Sequence, residues 1–86
     1  MTWRVNIRIL PRAGLLDPQG QAIEHALSAL RFHDFSNVHV GKAIAMDLEA
    51  DSEAEALRQV HAMCEHLLAN PVTEEFEIEV ASMRTV

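Results

Sequence analysis

The sequence is poor in cysteine, glycine and cationic residues, and each shortage excludes or disfavours a class of structure or function. Its one cysteine excludes an internal disulfide. Its three glycines form none of the patterns that cradle phosphates or dinucleotides, and no nucleophile-elbow motif occurs. Seven Lys and Arg residues stand against 13 Asp and Glu, which gives a formal net charge of −6. This balance disfavours sequence-independent binding to nucleic acid or to an anionic membrane.

Long apolar runs are also missing. No segment approaches the roughly 20 apolar residues that a membrane-spanning helix needs, and the N-terminal residues lack the apolar run of a signal peptide. We therefore expect a cytoplasmic protein without membrane contact. With 86 residues, we expect a single domain over 1–86. Because such a domain has a small core, association with itself or with a partner is expected.

Alternation of apolar and polar residues predicts four strands. The first begins at Trp3, and the fourth contains Phe76 and alternates with glutamates. Between them, residues 38–40 and 44–48 read as two short strands of a hairpin with Gly41-Lys42 as its turn. A short tail over 81–86 follows the fourth strand.

Two amphipathic helices are predicted between these strands. The first runs from Pro18 to Arg31, and the second begins near Asp51 or Ser52 and stops at Asn70-Pro71. Each has one apolar stripe, formed by Ile23, Ala26, Leu27 and Leu30 in the first helix and by Leu57, Val60, Cys64, Leu67 and Leu68 in the second.

The resulting order, β-α-β-β-α-β, is the ferredoxin-like α+β arrangement, a four-stranded antiparallel sheet with two helices on one face. Its usual strand order is 4-1-3-2, which sets the first strand between the fourth and the third. Arginines of the first strand should then meet carboxylates of both neighbours on the uncovered face. The charged residues concerned are Arg4, Arg8, Asp47, Glu49, Glu77 and Glu79.

The side chains that could carry chemistry are dispersed. Cys64, His61 and His66 are close in sequence, but at 100° per residue His66 points away from the other two. The acidic run over 47–55 is spread by strand alternation and a helix start, so a solvated face is expected. An RNA-recognition module would need aromatics on its central strands, where this chain has arginine, asparagine and alanine. We therefore predict no catalytic, cofactor-binding or metal-binding residue.

The corner between the first strand and the first helix is the most specific local signal. Asp17 can cap the helix, and Pro18 suits the first helical position. Gly20 puts no side chain on the first turn, although glycine within a helix costs about 1 kcal/mol relative to alanine. A plain strand-to-helix corner explains Asp17 and Pro18 and leaves Gly20 unexplained. The alternative is a docking role, in which the missing side chain would let another backbone approach closely.

Several segments in order along the chain together resemble one family, the PurS subunit of phosphoribosylformylglycinamidine synthase, which acts in de novo purine biosynthesis. They are Leu16-Asp17-Pro18-Gln19-Gly20 followed by Ala26-Leu27, Val40-Gly41-Lys42, and Leu67-Leu68-Ala69-Asn70-Pro71-Val72 followed by Glu75 and Phe76. The chain departs from the usual family pattern at His39, where arginine is common. The resemblance covers the whole chain and implies a single PurS-like domain.

The resemblance implies a noncatalytic subunit of a ligase complex. In that family a glutaminase subunit releases ammonia, and a large ATP-dependent subunit uses it to form formylglycinamidine ribonucleotide. The small subunit is needed for the two to associate and has been proposed to assist ammonia transfer. The resemblance further implies a homodimer or a dimer of dimers, with ATP and magnesium held by the large subunit and no cofactor held by this one.

Loops on a rigid sheet are where recognition usually occurs. We therefore predict contacts with the other subunits at the corner, the presumed hairpin turn and the end of the second helix. The candidate residues are Asp17, Pro18, Gln19, Gly20, Gly41, Lys42, Asn70 and Pro71. The alternative function is a regulatory domain that binds a small metabolite, since other domains of this topology do so between paired protomers.

Overall fold

A computed structural model describes residues 1–83. Of the tail predicted over 81–86, residues 81–82 belong to the last strand and residues 84–86 lie outside the described residues. The strands are β1 (Thr2–Pro11), β2 (Lys42–Glu49) and β3 (Glu74–Ser82). The helices are α1 (Pro18–Ala29) and α2 (Glu53–Met63), and α2 continues as a π-helix over Cys64–Leu68. The fold class is α+β, with element order β-α-β-α-β in place of the predicted β-α-β-β-α-β.

Over the residues described, the sheet has three antiparallel strands in the order β2-β1-β3, so the predicted four-stranded sheet and its hairpin are wrong. Lys42 begins β2 instead of turning a hairpin, and residues 38–40 form no strand. The backbone N–H groups there have other acceptors. Val38 N–H donates to the Glu24 carboxylate at 3.2 Å, and Val40 N–H donates to the Asp17 carboxylate at 3.0 Å. Donors used in this way do not join a strand ladder.

The core lies between β1 and α2. The inward side chains of β1 are almost inaccessible, with Val5, Ile7 and Ile9 at most 1% exposed, and they pack with Val60 and Cys64 of the α2 segment. Near the start of β1 the single tryptophan, Trp3, packs in a second cluster with alanines. Its indole N–H donates to the Ala50 carbonyl at 3.0 Å. One helix and one sheet therefore supply nearly all of the buried apolar surface.

Helix α1 stands away from the sheet, so the prediction of two helices packed on one face is wrong. Its only buried residue is Gly20, while Ile23 and Leu30 of the predicted stripe are 41% and 69% exposed. Within residues 1–83 no strand or helix packs along it closely. The Cα radius of gyration is 16.6 Å, against about 12 Å for a compact chain of this length. The helix also ends at Ala29, before the predicted Arg31, which has a left-handed φ of 69°.

The second helix departs from its predicted stripe where it changes geometry. Ser52 is its N-cap and accepts from the N–H of Glu55 at 3.1 Å. The π-turn inserts extra backbone, which rotates the residues that follow it. Leu67 is 82% exposed as a result, whereas Cys64 is buried. The helical segment ends at Leu68, just before the predicted stop.

The charge pattern predicted for the uncovered sheet face is confirmed in part, since Glu49 and Glu79 lie opposite Thr2 and Asn6 and not opposite an arginine. Arg4 pairs with Asp47 of β2, with Nε and Oδ1 2.7 Å apart, and Arg8 pairs with Glu77 of β3. Both pairs are directly opposed in the sheet register. This confirms that β1 is the central strand, as the ferredoxin-like order requires for these three strands.

Candidate functional site

The predicted site residues all lie at one end of the sheet, which we call the corner end. It is the end at which β1 finishes and β2 and β3 begin. Ile9 pairs with Lys42 there, and Pro11 pairs with Glu74. The structure thus brings together three segments that are far apart in sequence, namely 17–20, 41–42 and 70–71.

Asp17 joins two of these segments. Its Oδ1 accepts from the N–H of Gly20 at 3.1 Å, which confirms the predicted N-cap. Its Oδ2 accepts from the N–H of Val40 at 3.0 Å and lies 3.3 Å from Nδ1 of His39. The side chain is 9% exposed. Asp17 therefore fixes both the start of α1 and the chain that leads into β2.

These contacts favour the ionised carboxylate. The hydrogen bonds from the Val40 and Gly20 backbone hold the pKa of Asp17 below its ordinary value of 3.8, with a smaller contribution from His39. A lowered folded-state pKa means that the unfolded chain binds a proton more readily than the folded chain. The resulting stability is present above the ordinary pKa and is lost as the pH falls through the folded-state value.

We expect the substitution Asp17→Asn to lower the melting temperature at neutral pH and to lose this effect in acid. Asparagine keeps an oxygen acceptor but not the charge that strengthens both backbone contacts. The measurement is the melting temperature of both proteins between pH 7 and pH 2. Glu55 also has a depressed pKa, about 2, because Arg58 and Gln59 donate to it, but that effect is common to both proteins and cancels in their difference. A difference that stays constant down to pH 2 would contradict the assignment.

Two glycines allow close backbone approach at the corner end. A Cβ on Gly20 would overlap the carbonyl oxygen of Val38 and would lie 2.7 Å from Oδ2 of Asp17. A Cβ on Gly41 would overlap the carbonyl oxygen of Ile9. The backbone that comes close to Gly20 is that of Val38 in this same chain, so the packing of the corner accounts for this glycine without a docking role.

A second set of contacts fixes the start of β3. The guanidinium of Arg12 donates from Nη2 and Nε to the carbonyl of Pro71, at 2.8 and 3.1 Å. Glu74 accepts from the N–H of Asn70 at 2.8 Å and lies 3.9 Å from Nζ of Lys42. These contacts hold the loop before β3 against β1 and β2.

The candidate residues therefore separate into two groups. Asp17 is nearly buried and Gly20 is buried, and both shape the backbone. The exposed candidates are Pro18, Gln19, Gly41, Lys42, Asn70 and Pro71. Beside them the apolar side chains of Leu16 and Val72 are 74% and 78% exposed.

Sequence reasoning missed the residues that hold this end together, which are Arg12, Glu24 and Glu74. Glu24 accepts from the N–H of Val38, which lies 14 residues further along the chain. Each of the three contacts a segment that is distant in sequence or lies beyond a turn, so no local periodicity marks it.

Neither a metal cluster nor a membrane span is found in the described part of the chain. Among residues 1–83 no three His, Cys, Asp or Glu side chains converge as metal ligands. No helix in that range combines the length and the apolar character that crossing a bilayer requires. The arrangement at the corner end is one of hydrogen-bonded backbone with exposed side chains around it.

Comparison with known proteins identifies the family. The family model "PurS: Phosphoribosylformylglycinamidine (FGAM) synthase" matches residues 4–82. The Synechocystis phosphoribosylformylglycinamidine synthase subunit PurS is 37% identical over 95% of this chain and 82% of its own length.

Solved structures agree with this result. The structure of Methanocaldococcus jannaschii PurS matches with a TM-score of 0.84 and 32% identity, covering 95% of this chain and 99% of that one. A chain in the Thermotoga maritima PurLQS structure matches with a TM-score of 0.86 and 31% identity, covering 94% and 99%. This chain belongs to the PurS family of phosphoribosylformylglycinamidine synthase subunits.

Proposed function

We propose that this chain is the noncatalytic small subunit of a phosphoribosylformylglycinamidine synthase in purine biosynthesis, and that it joins a glutaminase subunit to an ATP-dependent synthetase subunit. A close structural match is to a chain of PurLQS. The observation that carries the proposal is the construction of the corner end. Its ionisable side chains are used to fix backbone, while neighbouring apolar and polar side chains remain exposed.

This construction suits recognition better than chemistry. Asp17, Glu24 and Glu74 each accept a backbone N–H, and Arg12 donates to a carbonyl. A general acid or base would need a free proton site facing a substrate. Rigid loops with exposed Leu16 and Val72 supply instead the preorganised surface that a protein partner can bury.

Lys42 tests this role. It is 58% exposed and faces Glu74, so its ion pair contributes little to stability. We expect Lys42→Gln to leave the melting temperature within about 2 °C of wild type, since an exposed pair is worth about 0 to 1 kcal/mol. We expect the same variant to weaken assembly with the other two subunits about tenfold, measured by size-exclusion chromatography of the mixture with ATP, magnesium and glutamine present. Lys42→Glu would also oppose Glu74, so the neutral variant isolates the partner contact.

The matched control is Arg58→Gln. Arg58 is also an exposed cation in an ion pair, with Glu55, but it lies on the second turn of α2. This variant should assemble like wild type. Equal assembly by both variants would exclude Lys42 from the interface, and equal weakening would indicate a general charge effect.

The same proposal extends to the cofactors, the cellular location and the oligomeric state. ATP and magnesium bind to the synthetase subunit, and this subunit binds no cofactor of its own. The protein acts in the cytoplasm, where the complex forms. It is also a homodimer, because an 86-residue chain with one helix off its sheet leaves apolar surface that a second copy can cover.

A further inference from the structure

The uncovered side of the sheet, which we call the open face, carries an excess of carboxylates. It is formed by the alternate, exposed side chains of β1, β2 and β3. Arg4 and Arg8 are its two cations, and five carboxylates stand against them, two on β2 and the three alternate glutamates of β3. The open face therefore has a net charge of −3, which is half of the −6 of the whole chain.

The register of the sheet shows where this charge is not compensated. The cross-strand rows that contain Arg4 and Arg8 each hold an ion pair. The row between them consists of Ala45, Asn6 and Glu79. Among residues 1–83 Glu79 makes no ion pair. Its exposed carboxylate is therefore available to a cation that the described part of the chain does not supply.

A shallow groove of about 480 Å³ lies over this middle row. The small side chains of Ala43 and Ala45 line it on the β2 side, and Asn6 lies at its centre. Glu77 and Glu79 line it on the β3 side. One wall is apolar and the other is anionic, with an amide oxygen between them that can accept a hydrogen bond. This combination fits a side chain with an aliphatic stem and a cationic end, because such side chains rest the stem on apolar surface and keep the charge at a polar site.

We propose that this groove receives an arginine or lysine side chain from one of the other two subunits, with its stem on Ala45 and its charge at Glu79 and Asn6. The proposal rests on the proposed joining function and names a contact for it. The groove adjoins the corner end, because Ala43 directly follows Lys42 in β2. A partner held at the corner end therefore comes within reach of the open face.

Charge and solvation select this occupant over two others. A second copy would bring a chain of net charge −6 to a surface of net charge −3, and like charges repel. A large apolar occupant would take water away from the ion pairs of Arg4 and Arg8 without replacing it. A cationic side chain on a protein surface meets neither obstacle, since it compensates Glu79 and leaves the flanking pairs in place.

Assembly of the full-length chain with both partner subunits tests the contact, measured by size-exclusion chromatography with ATP, magnesium and glutamine present. Glu79→Gln removes the charge and keeps the size of the side chain. We expect it to weaken assembly about tenfold at low salt, because it leaves the partner's cation uncompensated. In about 0.5 M salt the difference from wild type should narrow, since screening already weakens the wild-type pair.

A second variant fills the groove without changing its charge. Ala45→Ile should weaken assembly by a similar factor at both salt concentrations. Isoleucine suits a strand position, so we expect the melting temperature of this variant to stay at or above that of wild type. The matched control is Glu53→Gln, an exposed glutamate on α2, which should assemble like wild type.

The other outcomes overturn the proposal. Normal assembly of Glu79→Gln or of Ala45→Ile at low salt would show that no cation lies in the groove, and equal weakening by Glu53→Gln would show a general effect of charge. Light scattering of each variant alone detects a second copy as the occupant, because the oligomeric state of this chain would then change without the other subunits. Failure of the wild-type protein to assemble would remove the proposed joining function, whereas equal assembly of wild type and Glu79→Gln removes only this contact.

Discussion

Replacing Gly20 with alanine is expected to lower the free energy of unfolding by about 2 kcal/mol, since filling a tightly packed position costs about 1 to 3 kcal/mol. In most helices the same substitution is expected to raise the free energy of unfolding, because alanine in a helix interior is more favourable than glycine by about 1 kcal/mol. Here the added Cβ overlaps the carbonyl oxygen of Val38. That oxygen belongs to backbone that Asp17 and Glu24 hold in place through hydrogen bonds. The overlap is therefore with fixed backbone and cannot be relieved by moving a flexible side chain.

The measurement is thermal unfolding followed by the fluorescence of Trp3, the only tryptophan, which is 8% exposed. For a domain of this size we expect a fall of about 10 °C. The control is Gln21→Ala in the same helical turn, where the side chain is exposed and the melting temperature should stay the same or rise slightly. A Gly20→Ala protein that melts at or above the wild-type temperature would show that the segment over 38–40 does not rest on α1.

The alternation of apolar and polar residues correctly predicted the strands of the sheet, which pair with one another and share one core. Alternation at Trp3 and at Phe76 located β1 and β3, and opposed charges gave the correct neighbours for β1. The residues over 38–40 alternate equally well but form no strand. Their backbone N–H groups donate to carboxylates that are 14 and 23 residues away in the sequence. A pattern read over a few neighbouring residues cannot show these long-range hydrogen bonds.

The same limit applies to α1 and to the corner end. The apolar stripe of α1 forms, but it stays largely exposed in the described chain. Periodicity predicts that one face of a helix is apolar, and it does not say what covers that face. Asp17 was identified as a cap from its position before Pro18, while its second role, holding the N–H of Val40, depends on where β2 begins. At Gly20 the sequence showed only that a backbone could approach closely, and it did not show that this backbone is that of Val38 in the same chain.

Placing a charge in the stripe of α1, by Ile23→Asp, is expected to dissociate the proposed homodimer and to unfold α1 itself. Isolated helices shorter than about 12 to 15 residues are marginal in water, and α1 has 12 residues with only Gly20 buried in the protomer. In the proposed homodimer its helical state depends on the second copy, and a carboxylate placed in the apolar stripe would remove that support. Because α2 and its π-turn contribute 11 and five helical residues, losing α1 removes roughly two fifths of the helical circular dichroism signal.

Light scattering and circular dichroism at 222 nm of the same samples separate this result from simple loss of helix propensity. His25→Asp places the same residue in the same helix on the face opposite the stripe, so it should keep both the dimer and the helical signal. Wild-type protein should lose both together on dilution, since a helix stabilised by association depends on concentration. A monomeric Ile23→Asp protein with full helical signal would mean that α1 is stable alone. A dimeric one would mean that the apolar stripe of α1 faces water in the assembled protein.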